Sequence, residues 1–128
     1  MENVKTILVV EDEKALNSII VERLKEKGFK TFSAFTAEEA MNSLKTEKID
    51  LIWLDLRLPK MSGFDFLKKL RGEPELKDKK VVVVSVSGTF DTKDEVKKLS
   101  VLEYFVKSEW KLDNLINEVS MLMDKGKA

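Results

Sequence analysis

The sequence predicts an α/β domain in which helices cover both faces of a parallel β-sheet. Short apolar runs alternate along the 128 residues with longer amphipathic segments, which is the pattern of alternating strands and helices. Strands that alternate with helices through short loops form a parallel sheet by right-handed crossovers. Several runs are apolar at nearly every position, which is typical of central strands buried on both faces.

The first predicted strand comprises residues 4–10. A helix over residues 13–27 follows, and Gly28 supplies its C-terminal stop. Apolar residues at helical spacing mark the inward face of this helix, namely Leu16, Ile19, Ile20 and Leu24. Residues 30–35 are predicted to form a second, weaker strand.

A capping box begins the second helix, because Glu39 follows Thr36 by three residues. One face of this helix is apolar and consists of Ala37, Ala40, Met41 and Leu44. The third strand comprises residues 49–54 and is interrupted only by Asp50, as expected of a central strand.

The alternation continues through the second half of the chain. A helix over residues 62–71 turns Phe66, Leu67 and Leu70 inward, and residues 72–80 form a charged surface loop. Residues 81–84 are β-branched throughout, which favours a strand.

A short helix over 91–99, a fifth strand over 101–106 and a final helix over 109–123 complete the domain. The inward residues of these two helices are Val96, Leu99, Leu112, Leu115, Ile116, Val119 and Leu122. We expect one domain over residues 1–124 and a frayed tail over 125–128.

Composition excludes several classes of function. The 23 basic and 23 acidic residues cancel and form no basic stripe, which argues against direct nucleic-acid binding. The absence of cysteine excludes disulfides, and the absence of histidine removes the commonest general base and any phosphohistidine of the chain's own. No apolar segment approaches the roughly 20 residues that span a bilayer, so we expect a soluble cytoplasmic protein without membrane contact.

Polar side chains follow four of the predicted strands. Glu11 and Asp12 follow the first strand, Asp55 the third, Ser85 the fourth and Lys107 the fifth. Ligands of parallel α/β sheets bind at the carboxyl ends of the strands, so we expect these side chains to gather at one edge.

Each of these residues also has a plain structural interpretation, since acids complement a helix dipole, serine forms turns and lysine is usually solvated. Carboxylates that end neighbouring strands, however, lie roughly 4.8 Å apart and crowd unless a cation intervenes. Mg²⁺ suits such a site, and Lys107 and Ser85 would then donate to a bound anion. The inferred anion is a phosphoryl group, with Asp55 as the nucleophile that forms an acyl phosphate.

Four segments together resemble the CheY-like receiver domains of two-component response regulators. They are VVEDE at 9–13, LDLRLPKMSG at 54–63, Ser85 after VVVV, and YFVK at 104–107. The resemblance covers essentially the whole chain. It implies a flavodoxin-like (βα)₅ three-layer sandwich with strand order 2-1-3-4-5.

The resemblance also implies a role for each site residue. Asp55 would be the phosphoacceptor. Mg²⁺, which Mn²⁺ could replace, would be held by Asp12, Asp55 and the backbone carbonyl of Arg57, with Glu11 acting through a water. Lys107 and Ser85 would bind phosphoryl oxygens. Ser85 and Tyr104 would form the conformational switch, although Tyr104 taken alone reads as ordinary strand packing.

The implied partners are a histidine kinase or histidine phosphotransfer protein as donor, and a downstream protein of unknown identity. A homodimer formed on phosphorylation is a further implied partner. The domain would catalyse only its own phosphorylation and dephosphorylation, so it would not be an enzyme that acts on other substrates. Whether it stands alone or belongs to a larger regulator stays open.

Several positions depart from the family pattern. Val86 stands where many family members have alanine or glycine, and we predict that its side chain narrows access to Asp55. We predict that Arg57 and Ser87 together tune the lifetime of the phosphoryl group. Ser108 follows Lys107 in place of proline, so we expect a trans peptide there. The Gly-Ala pair that the family often has before the fifth strand is replaced here by Val101, Leu102 and Glu103. We therefore expect the corner that leads into this strand to be stiffer or differently shaped.

The same residues argue against two of three rival functions. A haloacid-type phosphatase would need a second aspartate at the position of Arg57, and a flavodoxin would need a phosphate-binding loop where the acidic residues 11–13 stand. The remaining alternative is a pseudo-receiver or engineered scaffold that binds partners without phosphorylation.

Overall fold

The computed structural model describes residues 4–86 and 90–125. The strands are β1 (Thr6–Val10), β2 (Lys30–Ala34), β3 (Leu51–Leu54), β4 (Lys80–Ser85) and β5 (Glu103–Val106). The helices are α1 (Lys14–Glu26), α2 (Ala37–Thr46), α3 (Gly63–Gly72), α4 (Phe90–Lys97) and α5 (Leu112–Lys125). All strand pairs are parallel, in the order β2-β1-β3-β4-β5. The predicted fold class and strand order are therefore confirmed.

Two hydrophobic cores lie on opposite faces of the sheet. In β1, Leu8 and Val10 face the core that α2, α3 and α4 cover, while Ile7 and Val9 face the core that α1 and α5 cover. Side chains alternate between the two faces of a strand, so burial of both faces requires an uninterrupted apolar run. This arrangement explains the continuous apolar runs of the sequence.

Helix α1 differs from its predicted inward face at one position. Ile19 is 44% exposed, and the buried residues are Asn17, Ile20 and Leu24. Residues separated by three or four positions share a face of a helix, and Asn17, Ile20 and Leu24 follow that spacing. The prediction that Ile19 belongs to the inward face is therefore wrong.

Side-chain caps begin two of the helices. The Thr36 hydroxyl accepts a hydrogen bond from the Glu39 N–H (3.1 Å), and the Glu39 carboxylate accepts one from the Phe35 N–H (2.9 Å). The Ser62 hydroxyl likewise accepts a bond from the Asp65 N–H (3.1 Å) at the start of α3. The capping box predicted for α2 is confirmed, with its return bond directed to the residue before the cap.

The predicted start of the last helix is wrong. Residues Lys107–Glu109 form a 3₁₀ turn and α5 begins at Leu112. The Trp110 ring between them packs edge-on against Phe105, with ring centroids 5.1 Å apart. The peptide between Lys107 and Ser108 is trans, as expected.

Arg71 joins two loops at the amino edge of β4 and β5. Its guanidinium donates to the carbonyls of Leu99 (2.7 Å), Ser100 (3.2 Å), Lys77 (2.9 Å) and Lys79 (2.7 Å). Burial lowers the pKa of Arg71, and nearby Asp78 opposes that shift. Ser100, in the corner between α4 and β5, has a left-handed backbone (φ 61°).

In the part of the chain described, no helix is long and apolar enough to cross a membrane.

Candidate functional site

An acidic cluster lies at the carboxyl ends of β1 and β3. Backbone bonds extend the sheet past both strands, from the Asp55 N–H to the Val10 carbonyl (3.0 Å) and from the Glu11 N–H to the Ala34 carbonyl (3.1 Å). These bonds fix the two acids side by side. Carboxylate oxygens of Glu11, Asp12 and Asp55 all lie within 4.8 Å of one another. The gathering of acids that the sequence predicted is present at this edge.

Lys107 bridges the two buried acids. Its Nζ lies 2.7 Å from Oε1 of Glu11 and 3.0 Å from Oδ2 of Asp55. Burial acts to lower the pKa of Lys107, but the bonds and charges of Glu11 and Asp55 outweigh it and raise the pKa. The ammonium therefore stays charged at neutral pH.

The second oxygen of each buried carboxylate accepts a backbone hydrogen bond. Oδ1 of Asp55 accepts from the Arg57 N–H (3.0 Å), and Oε2 of Glu11 accepts from the Glu13 N–H (3.1 Å). Both side chains are thereby held in one orientation.

A crevice of about 550 Å³ opens over the cluster. Its lining consists of Glu11, Asp12, Glu13, Leu16, Asp55, Arg57, Val86 and Lys107. Asp12 is exposed, whereas Glu11 and Asp55 are buried, so the cluster has one acid directly open to solvent. Three carboxylates and one ammonium leave two net negative charges here. Clustered hard oxygens with that charge fit a divalent cation such as Mg²⁺.

Two predicted tuning residues line the crevice. Val86 is 47% exposed at its rim, and Arg57 is also exposed. Among the described residues the Arg57 guanidinium forms no ion pair, and Glu11 is paired with Lys107. Ser87, the third predicted tuning residue, lies outside the described residues.

Ser85 and Tyr104 lie behind the crevice. Ser85 is fully buried, and its hydroxyl makes no hydrogen bond of regular geometry with a described residue. It pairs with Val106 across the sheet, one residue before Lys107. Burial and the charge of Asp55 raise the pKa of the buried Tyr104 hydroxyl, and the nearby Ser85 hydroxyl offsets part of this rise.

Asn17 is a site residue that sequence reasoning missed. Its buried Nδ2 donates to the Glu11 carbonyl (3.0 Å) and, more weakly, to those of Val9 and Ala34 (both 3.4 Å). Its Oδ1 accepts from the Ser33 hydroxyl (2.7 Å). Asn17 thus ties α1 to the strand ends that carry the acids. The available signal was a polar residue on the inward face of an amphipathic helix.

Gly63 is a second residue whose role emerges only from the structure. A Cβ at this position would lie 2.3 Å from the Asp55 carbonyl oxygen and 2.6 Å from the Leu56 Cα. The Gly63 N–H donates to the Leu56 carbonyl (2.8 Å), which closes the loop after β3. The loop can pack this tightly beneath Asp55 only with glycine at its end.

The family model and the sequence relatives of this chain point to the same family. The family model of the response regulator receiver domain matches residues 7–120. The chain is 30% identical over 101 residues to sporulation initiation phosphotransferase F of Bacillus subtilis, covering 79% of this chain and 80% of that protein. It is 37% identical over 84 residues to the phosphate regulon transcriptional regulatory protein PhoB of Escherichia coli, covering 66% of this chain and 37% of that protein.

A solved structure agrees with these sequence relatives. The phosphorylated cyanobacterial phytochrome response regulator RcpA superposes with a TM-score of 0.80 at 32% identity, covering 94% of this chain and 91% of that chain. The chain spans less than half the length of PhoB and of the probable transcriptional regulator ycf27 of Porphyridium aerugineum.

Proposed function

Because the chain belongs to the response regulator receiver domains of two-component signalling, we propose that Asp55 is the residue that accepts the phosphoryl group. The observation that carries this proposal is the environment of its carboxylate. Oδ2 of Asp55 contacts the Lys107 ammonium (3.0 Å), and carboxylate oxygens of Glu11 and Asp12 lie within 4.8 Å under an open crevice. A carboxylate that is held in place beside a lysine ammonium and beside a cluster of acids that can hold a divalent cation is able to accept a phosphoryl group.

As membership of the family implies, the donor would be a phosphohistidine of a histidine kinase or histidine phosphotransfer protein, and these 128 residues contain no histidine. The P–N bond breaks and its electron pair stays on the imidazole nitrogen, while an Asp55 carboxylate oxygen forms the new P–O bond. Little covalent work is left to the protein in such a transfer, so it contributes positioning and charge stabilisation.

Lys107 and Ser85 would donate to phosphoryl oxygens. Lys107 already lies against Asp55, and the Ser85 hydroxyl is buried beside Tyr104 at the carboxyl end of β4. Asp12, Asp55 and the Arg57 carbonyl would hold Mg²⁺, or Mn²⁺ in its place, with Glu11 acting through a water. The bound cation would offset the negative charge that gathers between the phosphoryl group and the acids.

Movement of Ser85 towards the phosphoryl group would be sensed by Tyr104, which lies beside it. Moving a two-state switch from 1:99 to 99:1 takes roughly 5.5 kcal/mol of differential stabilisation. New charge-assisted bonds to the phosphoryl group can supply a large part of this. The signal would then pass to a protein target or to a second copy of the chain through surface contacts.

Val86 and Arg57 would set the rates of this chemistry, since both line the crevice over Asp55. We propose that Val86 slows small donors and hydrolysis alike, and that Arg57 with Ser87 tunes the lifetime of the phosphoryl group. Residues 1–124 would form the receiver unit.

Intact-mass analysis tests the proposal. The wild-type chain, incubated with acetyl phosphate and Mg²⁺, should gain one phosphoryl group, and chelation of the metal should prevent the gain. Asp55→Asn should gain none, while Asp65→Asn, a change at an exposed acid away from the crevice, should behave as wild type. Failure of the wild type to be modified by acetyl phosphate and by phosphorylated histidine kinases would favour the pseudo-receiver alternative.

A further inference from the structure

A second, smaller crevice lies between α1, the sheet and the start of α5. Its volume is about 140 Å³, and its apolar lining includes Leu16, Ile20, Trp53, Val84, Trp110 and Leu115. Among the residues that the structure describes, Lys107 is the one charged residue that lines it. The crevice therefore adjoins the acidic cluster but has a different chemical character.

Trp53 forms the covered end of this crevice. Its side chain is fully buried, and its indole Nε1–H has no hydrogen-bond acceptor among the described residues. Buried donors without a partner are rare and costly in native proteins. A phenylalanine or leucine would supply apolar packing at this position without that cost. The unpaired donor thus indicates a site that an external acceptor can complete.

The open end of the crevice is formed by Trp110, which is 36% exposed. Its ring is held edge-on against Phe105. Leu16, another lining residue, is also only partly buried. Because the indole N–H of Trp53 is buried, a ligand in the crevice has to displace part of the lining to reach it, and Leu16 and Trp110 are partly exposed residues of that lining.

The charges around the crevice favour a neutral ligand. The Lys107 ammonium is already bonded to Glu11 and Asp55, at 2.7 and 3.0 Å. An anion would therefore compete with two carboxylates for the same ammonium and would be repelled by both. A cation would lie against an apolar lining and would be repelled by the Lys107 ammonium. Neither penalty applies to an uncharged molecule.

We propose that this crevice binds a small neutral molecule whose apolar body fills it and whose carbonyl or ether oxygen accepts a hydrogen bond from Trp53 Nε1–H. A cavity of about 150 Å³ holds a molecule of the size of benzene, so a single six-membered ring is the right scale. This site does not depend on phosphorylation of Asp55.

Cyclohexanone and methylenecyclohexane are suitable probes because they share one shape and only the ketone has an oxygen acceptor. The chain contains two tryptophans and both line the crevice, so the two indole N–H signals in a ¹⁵N–¹H NMR spectrum report on it directly. We expect saturable cyclohexanone binding that shifts the Trp53 indole signal. We expect methylenecyclohexane to bind about tenfold more weakly, as the loss of one hydrogen bond implies.

Two variants separate the hydrogen bond from the packing. Trp53→Phe removes the donor and should abolish the preference for the ketone, whereas Trp110→Phe keeps the donor and should retain it. The wild-type titration decides the proposal even where a variant does not fold. Absence of a saturable shift of the Trp53 signal, or equal affinity of the wild type for both probes, would overturn it.

Discussion

The ammonium of Lys107 lies 3.0 Å from Oδ2 of Asp55, although the two residues are 52 positions apart in the chain. The contact joins the ends of β3 and β5, which are separated in the sheet by β4. Lys107 also contacts Glu11 at the end of β1 (2.7 Å), so one side chain connects the ends of three strands.

Replacement of Lys107 by methionine should destabilise the fold in the absence of divalent metal. The variant leaves Glu11 and Asp55 buried without their cation, and loss of one partner of a buried ion pair costs about 3–5 kcal/mol. We expect the free energy of unfolding, measured in urea with a chelator present, to fall by about 2–4 kcal/mol, which is slightly less because Lys107 is partly open to solvent. Mg²⁺ should stabilise the variant more than the wild type, because the cluster then has a larger negative charge.

The matched control is Lys111→Met, a change at an exposed lysine near the start of α5. It should leave the free energy of unfolding within about 0.5 kcal/mol of wild type. The pKa of Lys107 is raised above 10.5, so its stabilising contribution should persist through neutral pH and disappear as pH rises past the folded-state pKa. A Lys107→Met chain as stable as wild type would contradict the ion-pair account.

The tyrosine of the chain should ionise above its usual pKa of 10.0. Burial and the charge of Asp55 both favour the neutral hydroxyl of Tyr104. Tyr104 is the single tyrosine in the sequence, so tyrosinate absorbance near 295 nm reports on it alone. Asp55→Asn should lower the midpoint towards 10.0, and Asp65→Asn should not.

The same shift predicts the direction of alkaline unfolding. A folded-state pKa above the unfolded value gives stability that is present below pH 10.0 and is lost as pH rises through the folded-state pKa. Tyr104→Phe should therefore reduce the loss of stability above pH 10.0. An unchanged titration midpoint in Asp55→Asn would show that this carboxylate does not act on Tyr104.

Substitution of Gly63 by alanine should disturb the loop beneath Asp55. The new Cβ would stand 2.3 Å from the Asp55 carbonyl oxygen, so the backbone has to move. We expect a loss of about 1–3 kcal/mol in unfolding free energy and slower phosphorylation by acetyl phosphate. Gly72→Ala is the control, since its added Cβ meets no described atom within 4 Å beyond its chain neighbours and the backbone of its own helix. Similar stability and rates for both variants would argue against this close packing.

Arg71→Lys should weaken the connection between the two loops at the opposite edge of the sheet. Lysine retains the charge but cannot reproduce the fork that donates to four carbonyls. We expect the free energy of unfolding, measured in urea, to fall by about 1–3 kcal/mol. Arg23→Lys, at an exposed arginine of α1, is the control and should be nearly neutral. An Arg71→Lys variant as stable as its control would show that the four contacts contribute little.

The sequence was sufficient for the alternation of strands and helices because burial on both faces of the sheet leaves continuous apolar runs. It also indicated Glu11, Asp12, Asp55 and Lys107, since each stands within two residues of the end of such a run. The exposure of Ile19 was not predicted, because an apolar residue at the border of a helix face satisfies the same spacing as a core residue.

Other features depend on contacts that no local pattern encodes. The acceptors of Arg71 are backbone carbonyls of two loops, and carbonyls carry no sequence signal. The unpaired indole of Trp53 likewise becomes visible only when the atoms around it are known. The late start of α5 follows from packing of Trp110 on Phe105, a tertiary contact that overrides helix propensity.

Chemical mapping of the phosphorylated residue tests the central claim most directly. Borohydride reduces an acyl phosphate to an alcohol, so a phosphorylated Asp55 would become homoserine. After phosphorylation with acetyl phosphate and Mg²⁺, peptide sequencing by mass spectrometry should find homoserine at position 55 in the wild type. Homoserine at another aspartate, or its absence from a chain that carries a phosphoryl group, would contradict the assignment of Asp55.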